Sequence, residues 1–257
     1  VSLIHISLGD LALSLGFIAV VILVIRIERL GIEGSLLLGT IRALAQLMAV
    51  GYVLKAVFDL NRWYWVVLVL LVMTVVAAHT ARRRQVIAIP RGFWTMMASI
   101  GTAAILVLGS LLLVILRVKP WYQPQYAIPL AGIVIASAMN ATALSVDRFL
   151  SEVRQNRTLV EAAVVLGAGA KESSRRFSRV ALRAGMMPHI NTMMIVGVVQ
   201  LPGMMTGQIL GGVAPAEAVR YQILIVYCLT AGAAIASLTA LSIVRRLVFN
   251  RREQLTL

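Results

Sequence analysis

Charge is scarce in this chain, and negative charge scarcest. Only 13% of its 257 residues are charged, and 10 are acidic; a soluble domain carries roughly a quarter charged residues. Such a sequence cannot cover a globular surface with polar groups, which excludes an ordinary soluble enzyme. The single cysteine, Cys228, excludes an internal disulfide and a cysteine-based metal cluster. It lies in an apolar run and reads as core filler. The three histidines, His5, His79 and His189, have no His-x-x-x-His spacing, so a tight structural metal site is not expected. A phosphate-binding loop is also missing: Gly167, Gly169 and Lys171 fall at the wrong spacing for Gly-x-x-x-x-Gly-Lys-Ser/Thr. Neither paired membrane aspartates nor Gly-x-Ser-Gly occurs, which removes the common intramembrane proteases.

What is present is apolar sequence. Hydrophobic residues make up 60% of the chain and mean hydropathy is +0.90. Runs at 8–25, 36–58, 63–81, 93–116, 126–146, 187–210 and 219–244 are each long enough to cross a hydrocarbon core of ~30 Å. The expected fold is an all-α polytopic membrane protein of about seven transmembrane helices with a cytoplasmic coupling-helix loop. Its organisation reads as 1–146, holding helices one to five; 147–185, a cytoplasmic amphipathic loop; and 186–257, holding helices six and seven and a basic tail. The first run lacks a basic n-region and a small-residue cleavage site, so it is expected to be a retained span.

The 24 Lys and Arg residues give a formal charge of +14. They cluster beside apolar runs: Arg82, Arg83 and Arg84; Arg148, Arg154 and Arg157; Lys171, Arg175, Arg176, Arg179 and Arg183; Arg245, Arg246, Arg251 and Arg252. That is the pattern of the positive-inside rule rather than of a nucleic-acid surface. It predicts a multi-pass cell (inner) membrane protein with the N-terminus outside and the C-terminus cytoplasmic. No nucleic acid partner is expected.

The long loop alternates faces at helical spacing: Leu159, Ala163 and Leu166 on one side, Arg176, Arg179 and Arg183 on another, with Gly167 and Gly169 between. This predicts helix, tight turn, helix, with the basic arm lying on anionic headgroups, touching a partner, or both.

Two resemblances give that loop a meaning. Glu161-Ala162-Ala163 followed by Gly167-Ala168 resembles the first half of the EAA loop of ABC-transporter permeases, although Phe177-Ser178-Arg179-Val180 stands where Ile-x-Leu-Pro is usual. Over most of the chain, Arg42-Ala43 with Gln46, Gly51-Tyr52-Val53-Leu54-Lys55, Ile128-Pro129-Leu130-Ala131-Gly132 running to Ala138-Met139-Asn140-Ala141, Leu201-Pro202-Gly203-Met204-Met205-Thr206-Gly207 and Tyr221-Gln222-Ile223 resemble the FetB-type (YbbM/UPF0014) iron-export permeases. The resemblance implies the permease subunit of an ABC exporter that moves a metal cation, iron first, out of the cytoplasm. It further implies a separate ATPase subunit that binds ATP, a permease homodimer, and no cofactor bound by this chain.

Candidate site residues follow. Glu161, Ala162, Leu166, Gly167, Ala168 and Lys171 are expected to couple to the ATPase, with Glu161 pairing with a basic residue or capping the turn. Arg42, the one basic residue unambiguously inside a span, reads as a gate or clamp with Gln46 one turn along, or as a snorkelling end residue. Asn140 reads as facing a polar path, while Gly132, Ala136, Ser137 and Ala141 around it read as a close helix interface. The Pro202-Gly203 break, with Met204 and Met205, is expected to free backbone carbonyls at a gate or transient site. Met186, Met187, Met193 and Met194 read as packing residues, because Fe(II) prefers nitrogen and oxygen ligands. Metal ligands are unassigned. Asp10 reads as an interfacial carboxylate or a cation attractor. The alternatives are an ABC permease for another metal or an organic solute, or a partner-free secondary transporter or channel, which would carry coupling carboxylates in the membrane.

Overall fold

The computed structural model describes residues 7–60, 62–87, 89–250 and 255, with only the backbone described at Leu8, Leu11 and Ala12. His5, Arg251 and Arg252 lie outside the described residues. Those described form helices and no strand, apart from isolated bridges at Val196–Gln200 and Phe249–Leu255. Five helices are long and apolar enough to cross a membrane, and a shorter apolar stretch spans Leu13–Ile27. The protein is a polytopic all-α membrane protein.

Two compact units divide the chain: residues 1–60 with 210–212, and residues 61–209 with 213–257. In the first, α1 (Leu8–Ile27) starts on a reciprocal cap in which Ser7 accepts from the Asp10 amide at 3.2 Å and donates its own amide to the Asp10 carboxylate at 2.8 Å. Asp10 is thereby given a structural task at the helix start. A turn through Arg29 and Gly31, both at positive φ, leads into α2 (Glu33–Leu60). Apart from Val57, no side chain of α2 is buried. For an apolar helix, lipid is a compatible surrounding where water is not.

The remaining helices follow in chain order, in the second unit except for the last residue of α9: α3 (Trp63–Arg83), α4 (Gly92–Gly109), α5 (Pro124–Gln155), α6 (Arg157–Val165), α7 (Ala170–Ser173), α8 (Arg175–Ile195), α9 (Gly203–Leu210) and α10 (Pro215–Val248). A wider π turn, Ser110–Ile115, prolongs α4. Helix α5 is the centre, packed by α3, α4, α8 and α10. Its sequence explains this: Ala127, Ala131, Ala138 and Ala141 are buried and offer no bulk, so neighbouring backbones approach closely. Gly132 admits the Met73 methyl, and Gly232 of α10 lies against Val134.

Hydroxyls in these spans mostly bond their own helix. Thr74 donates to the Leu70 carbonyl at 2.8 Å, Ser99 to Thr95 at 2.7 Å and Thr239 to Ile235 at 2.8 Å. Each satisfies itself without a partner, the cheapest arrangement where water is absent.

One expected span is corrected. The apolar run 187–210 is not a single helix: α8 ends at Ile195, Gly197 takes a φ of +86°, and the chain resumes as the eight-residue α9 at Gly203. The break runs from Val196 to Pro202: Gly197 turns the chain at its start, and Pro202-Gly203 marks its end, where α9 begins. The longer helix is instead α8, whose 21 residues measure about 31 Å at 1.5 Å each. Its basic half, Arg175 to Arg183, is continuous with its apolar half, so the expected basic arm is the start of this helix. Residues 147–185 are accordingly shared among the end of α5, α6, α7 and the start of α8.

Candidate functional site

Three places in the second unit hold the features that chemistry or docking requires. The first is the turn between α6 and α7. Helix α6 closes with the Ala168 amide bonded to the Ala163 carbonyl at 3.0 Å and the Gly167 amide to Val164 at 2.9 Å, a Schellman closure that needs a left-handed residue at Gly167, where φ is +92°. Val165 and Leu166 point outward, 86% and 87% exposed, while Val160 anchors α6 from its buried side. Glu161 bonds Arg157 at 2.7 Å on the exposed surface of α6. The pairing expected of Glu161 therefore exists, with its neighbour one turn back. Buried Ser174 donates to the Ala170 carbonyl and closes α7, which packs on α6, α8 and α10. Ala162 and Lys171 are exposed and Ala168 is half-buried on the same turn.

Helix α8 is the second place. It runs antiparallel to α5: Gly185 sits against Ala141 and Ser145, and His189 lies 3.4 Å from the Ser137 hydroxyl. Ser137 also donates to the Leu229 carbonyl of α10 at 3.0 Å, and Thr230 of α10, whose hydroxyl donates to its own helix at Val226, lies 3.2 Å from the Met193 sulfur. Ser137 and Ala141 thus serve the bundle interface. Asn140 accepts from the Arg84 guanidinium at 2.7 Å, and Asp147 accepts the Val86 amide at 3.2 Å. Asn140 therefore helps fasten the turn after α3 to α5.

Beyond the end of α8 is the third. A cavity of about 520 Å³ is lined by Met193, Val196, Gly197, Leu201, Pro202, Met205, Val219, Gln222, Ile223, Val226 and Tyr227. Pro202 and Met205 thus lie together at one site, whereas Gly203 and Met204 do not line it. Where the helix breaks, the amides of Val198, Val199 and Gln200 gather on the Ile195 carbonyl, at 3.3, 2.9 and 3.3 Å. Arg42 and Gln46 belong to the first unit, exposed on α2.

Sequence comparison places this architecture. The uncharacterised protein family UPF0014 matches residues 8–249. The chain belongs to UPF0014. UPF0014 membrane protein slr1647 of Synechocystis sp. is 36% identical over 254 residues, covering 99% of this chain and 98% of the relative. The probable iron export permease protein FetB of Escherichia coli is 32% identical over 251 residues, 98% of this chain and 95% of the relative. Protein ALUMINUM SENSITIVE 3 of Arabidopsis thaliana is 33% identical over 215 residues, 83% and 77% respectively. No solved structure matches.

In this UPF0014 chain, Gly185, Arg84, Asp147 and Gln222 carry contacts or cavity positions that residue-by-residue reading passes over. Of these, Gln222 had a sequence signal, as part of Tyr221-Gln222-Ile223 near the start of an apolar run. Among the described residues, no three His, Cys, Asp or Glu side chains converge as metal ligands.

Proposed function

We propose that this chain is the membrane-spanning permease of an ABC exporter that moves a metal cation, iron first, out of the cytoplasm while a separate subunit hydrolyses ATP. The observation that carries the reading is the α6–α7 turn. Two large apolar side chains, Val165 and Leu166, project from a rigid helix end, flanked by Arg157, Lys171 and Arg175. An exposed apolar pair rimmed by charge suits a protein groove. The arginine-rich end faces the cytoplasm under the positive-inside rule, which puts the turn within reach of a cytoplasmic ATPase in the inner membrane of the cell. The FetB relative supports both the permease role and iron.

Helix α8 supplies the linkage between ATP and cargo. It starts just after the turn and ends at the cavity, gripped by α5 midway. Closure of two ATPases on a permease homodimer pulls on the turn; α8 transmits the displacement to the break at Gly197, and the cavity changes the side to which it opens. Asn140, tethered to Arg84, keeps the turn after α3 in step with α5. Arg42 and Gln46 act on α2 as a gate. Nothing is bound by this chain as a cofactor; ATP sits in the partner.

The test is ATP-driven movement of radioactive iron into inside-out vesicles holding this chain and its ATPase, with an ATPase-dead partner as control. Iron accumulation that requires the live partner is the expected result. Accumulation without the partner contradicts the ABC reading. A second reading, export of another metal or an organic solute, is favoured by the lack of a convergent ligand cluster among the described residues. It predicts that the permease stimulates its partner's ATPase while iron stays outside the vesicles.

A further inference from the structure

We propose that the outward face of α8 binds one anionic phospholipid, with the lipid phosphate held by Arg176, Arg179 and Arg183 and an acyl chain lying along Met187, Ile190 and Met194. This is independent of what the chain transports. At about 100° per residue, the six positions fall within about 80° of one another around the helix. All six are exposed. The buried residues of α8, Phe177, Ala181 and Gly185, lie off that stripe, and Gly185 meets α5. One line along one helix thus changes from arginine to apolar between Arg183 and Met187. A helix lying flat in the interface carries its charged and apolar side chains on opposite faces along its whole length; α8 carries them end to end on one face, as suits a helix that passes from headgroups into tails.

The contact with α5 sets the depth of that change. Gly185 sits against Ala141 and Ser145, and His189 lies 3.4 Å from Ser137, so in this antiparallel register Arg183 is level with the residues about Ser145 and Arg176 with those about Glu152. From Pro124 to Val146, α5 has no charged residue; its charges, Asp147, Arg148, Glu152 and Arg154, begin at the level of the α8 arginines. The two helices leave the apolar layer together. Arg176 to Arg183 cover about 10 Å along the axis, enough to cross a headgroup layer of roughly 5–8 Å.

Charge selects the occupant. Arg84, Arg148 and Arg157 bond Asn140, Glu152 and Glu161, whereas among the described residues Arg176, Arg179 and Arg183 have no hydrogen-bond or ion-pair partner. Glu172 is the one carboxylate from Lys171 to Arg183. A guanidinium fork matches the oxygens of a phosphate in pairs, and an anionic lipid brings phosphate to the arginines and a chain to Met187, Ile190 and Met194. A soluble anion lacks the chain. An acidic protein surface reaches the arginines but not Met194 within the hydrocarbon layer.

The experiment counts lipid on the purified full chain. In neutral detergent micelles it is given equal amounts of dioleoyl phosphatidylglycerol and dioleoyl phosphatidylcholine, and each bound lipid is counted by native mass spectrometry. Phosphatidylglycerol is expected in about tenfold excess or more. Arg183→Gln should cut that excess about fivefold, the factor one arginine beside an anionic headgroup supplies. Arg176→Gln, Arg179→Gln and Arg183→Gln together should bring the two lipids within about twofold. The charge control, Arg62→Gln, Lys119→Gln and Arg220→Gln together, removes as many positive charges from the start of α3, the loop before α5 and the start of α10, and should leave the excess unchanged. Inorganic phosphate in large excess should not displace the lipid. All the replaced side chains are exposed, so each variant should keep the wild-type elution profile and thermal midpoint, and the single α8 variants carry the test should the triple one not fold. Equal binding of the two lipids by wild type, an excess that survives loss of the α8 arginines, an equal fall in the charge control, or displacement by phosphate overturns the proposal. Loss of the ATPase from the triple α8 variant with the lipid excess unchanged gives this face to the protein partner and overturns it as well.

Discussion

The turn at Gly167 and the break at Gly197 both end a helix on a glycine of positive φ, +92° and +86°, and a Cβ on either glycine would meet no neighbour within 4 Å. Their surroundings differ. Around Gly167 the chain carries Arg157, Glu161, Lys171, Glu172 and Arg175, so its exposed Val165 and Leu166 are apolar residues set among charge. From Met187 to Leu210 no charged residue occurs, and the break there borders an apolar cavity with a single buried amide. One backbone device thus stands in two settings, a charged exposed turn before α8 and an apolar, half-open groove beyond it. What joins them is α8 itself, held by its contact with α5.

That contact gives the largest expected effect. A Cβ at Gly185 would collide with the Ser145 hydroxyl and lie 2.8 Å from the Ala141 carbonyl oxygen, so Gly185→Ala should force α8 off α5. A loss of about 3 kcal/mol, at the upper end for overpacking, is expected as a lowered thermal midpoint of the detergent-solubilised chain. Gly185→Ala combined with Ser145→Gly should recover part of it, and failure to do so removes Ser145 from the account.

Next are the two glycines. Gly167→Val and Gly197→Val each place a β-branched residue in the left-handed region, at about 1–2 kcal/mol. Equal destabilisation with unequal consequences is expected: Gly167→Val uncouples ATP hydrolysis from transport, while Gly197→Val leaves partner binding intact and alters cargo retention. Thermal melts, partner pull-down and ATP-driven iron uptake on both variants check this, and identical functional profiles would dissolve the distinction between the two breaks. Smaller is Ser137→Ala, which removes the hydrogen bond to the Leu229 carbonyl between α5 and α10; about 0.6 kcal/mol is expected, the average for such bonds in membrane proteins, read as a modest midpoint shift. Smallest is Glu161→Gln. The Arg157–Glu161 pair is about half exposed on both sides, so stability should change by less than about 0.5 kcal/mol, and any larger effect of this variant must appear in ATPase stimulation.

The extent to which the sequence announced this arrangement follows from what each contact depends on. Helices α3, α4, α5 and α10 are legible because an unbroken apolar run of about 20 residues has few other uses. The turn at Gly167 is legible because glycine after an amphipathic helix marks its end. The span 187–210 misleads for a physical reason: a hydropathy window counts apolar residues and is blind to backbone angle, so Gly197, Gly203 and Gly207 look alike although only the first stands at positive φ. The same window discounts α8 because Arg175 to Arg183 occupy its first half. At the candidate site, Pro202 and Met205 were found from the break and its methionines. Asn140 points to a partner 56 residues away, Arg84, which no local pattern encodes. Gly185 is one small residue among many until Ser145 is placed beside it.

The central claim is that the exposed turn after α6 receives a separate ATPase, and the most direct measurement is co-purification of that ATPase with Leu166→Asp permease in lipid nanodiscs. Leu166 is 87% exposed, so the substitution leaves the fold intact, with an unchanged elution profile and thermal midpoint. The account predicts that the partner is lost from the complex and that its permease-stimulated ATP hydrolysis falls to the level of the isolated ATPase. Full retention and full stimulation by a correctly folded Leu166→Asp chain would contradict it.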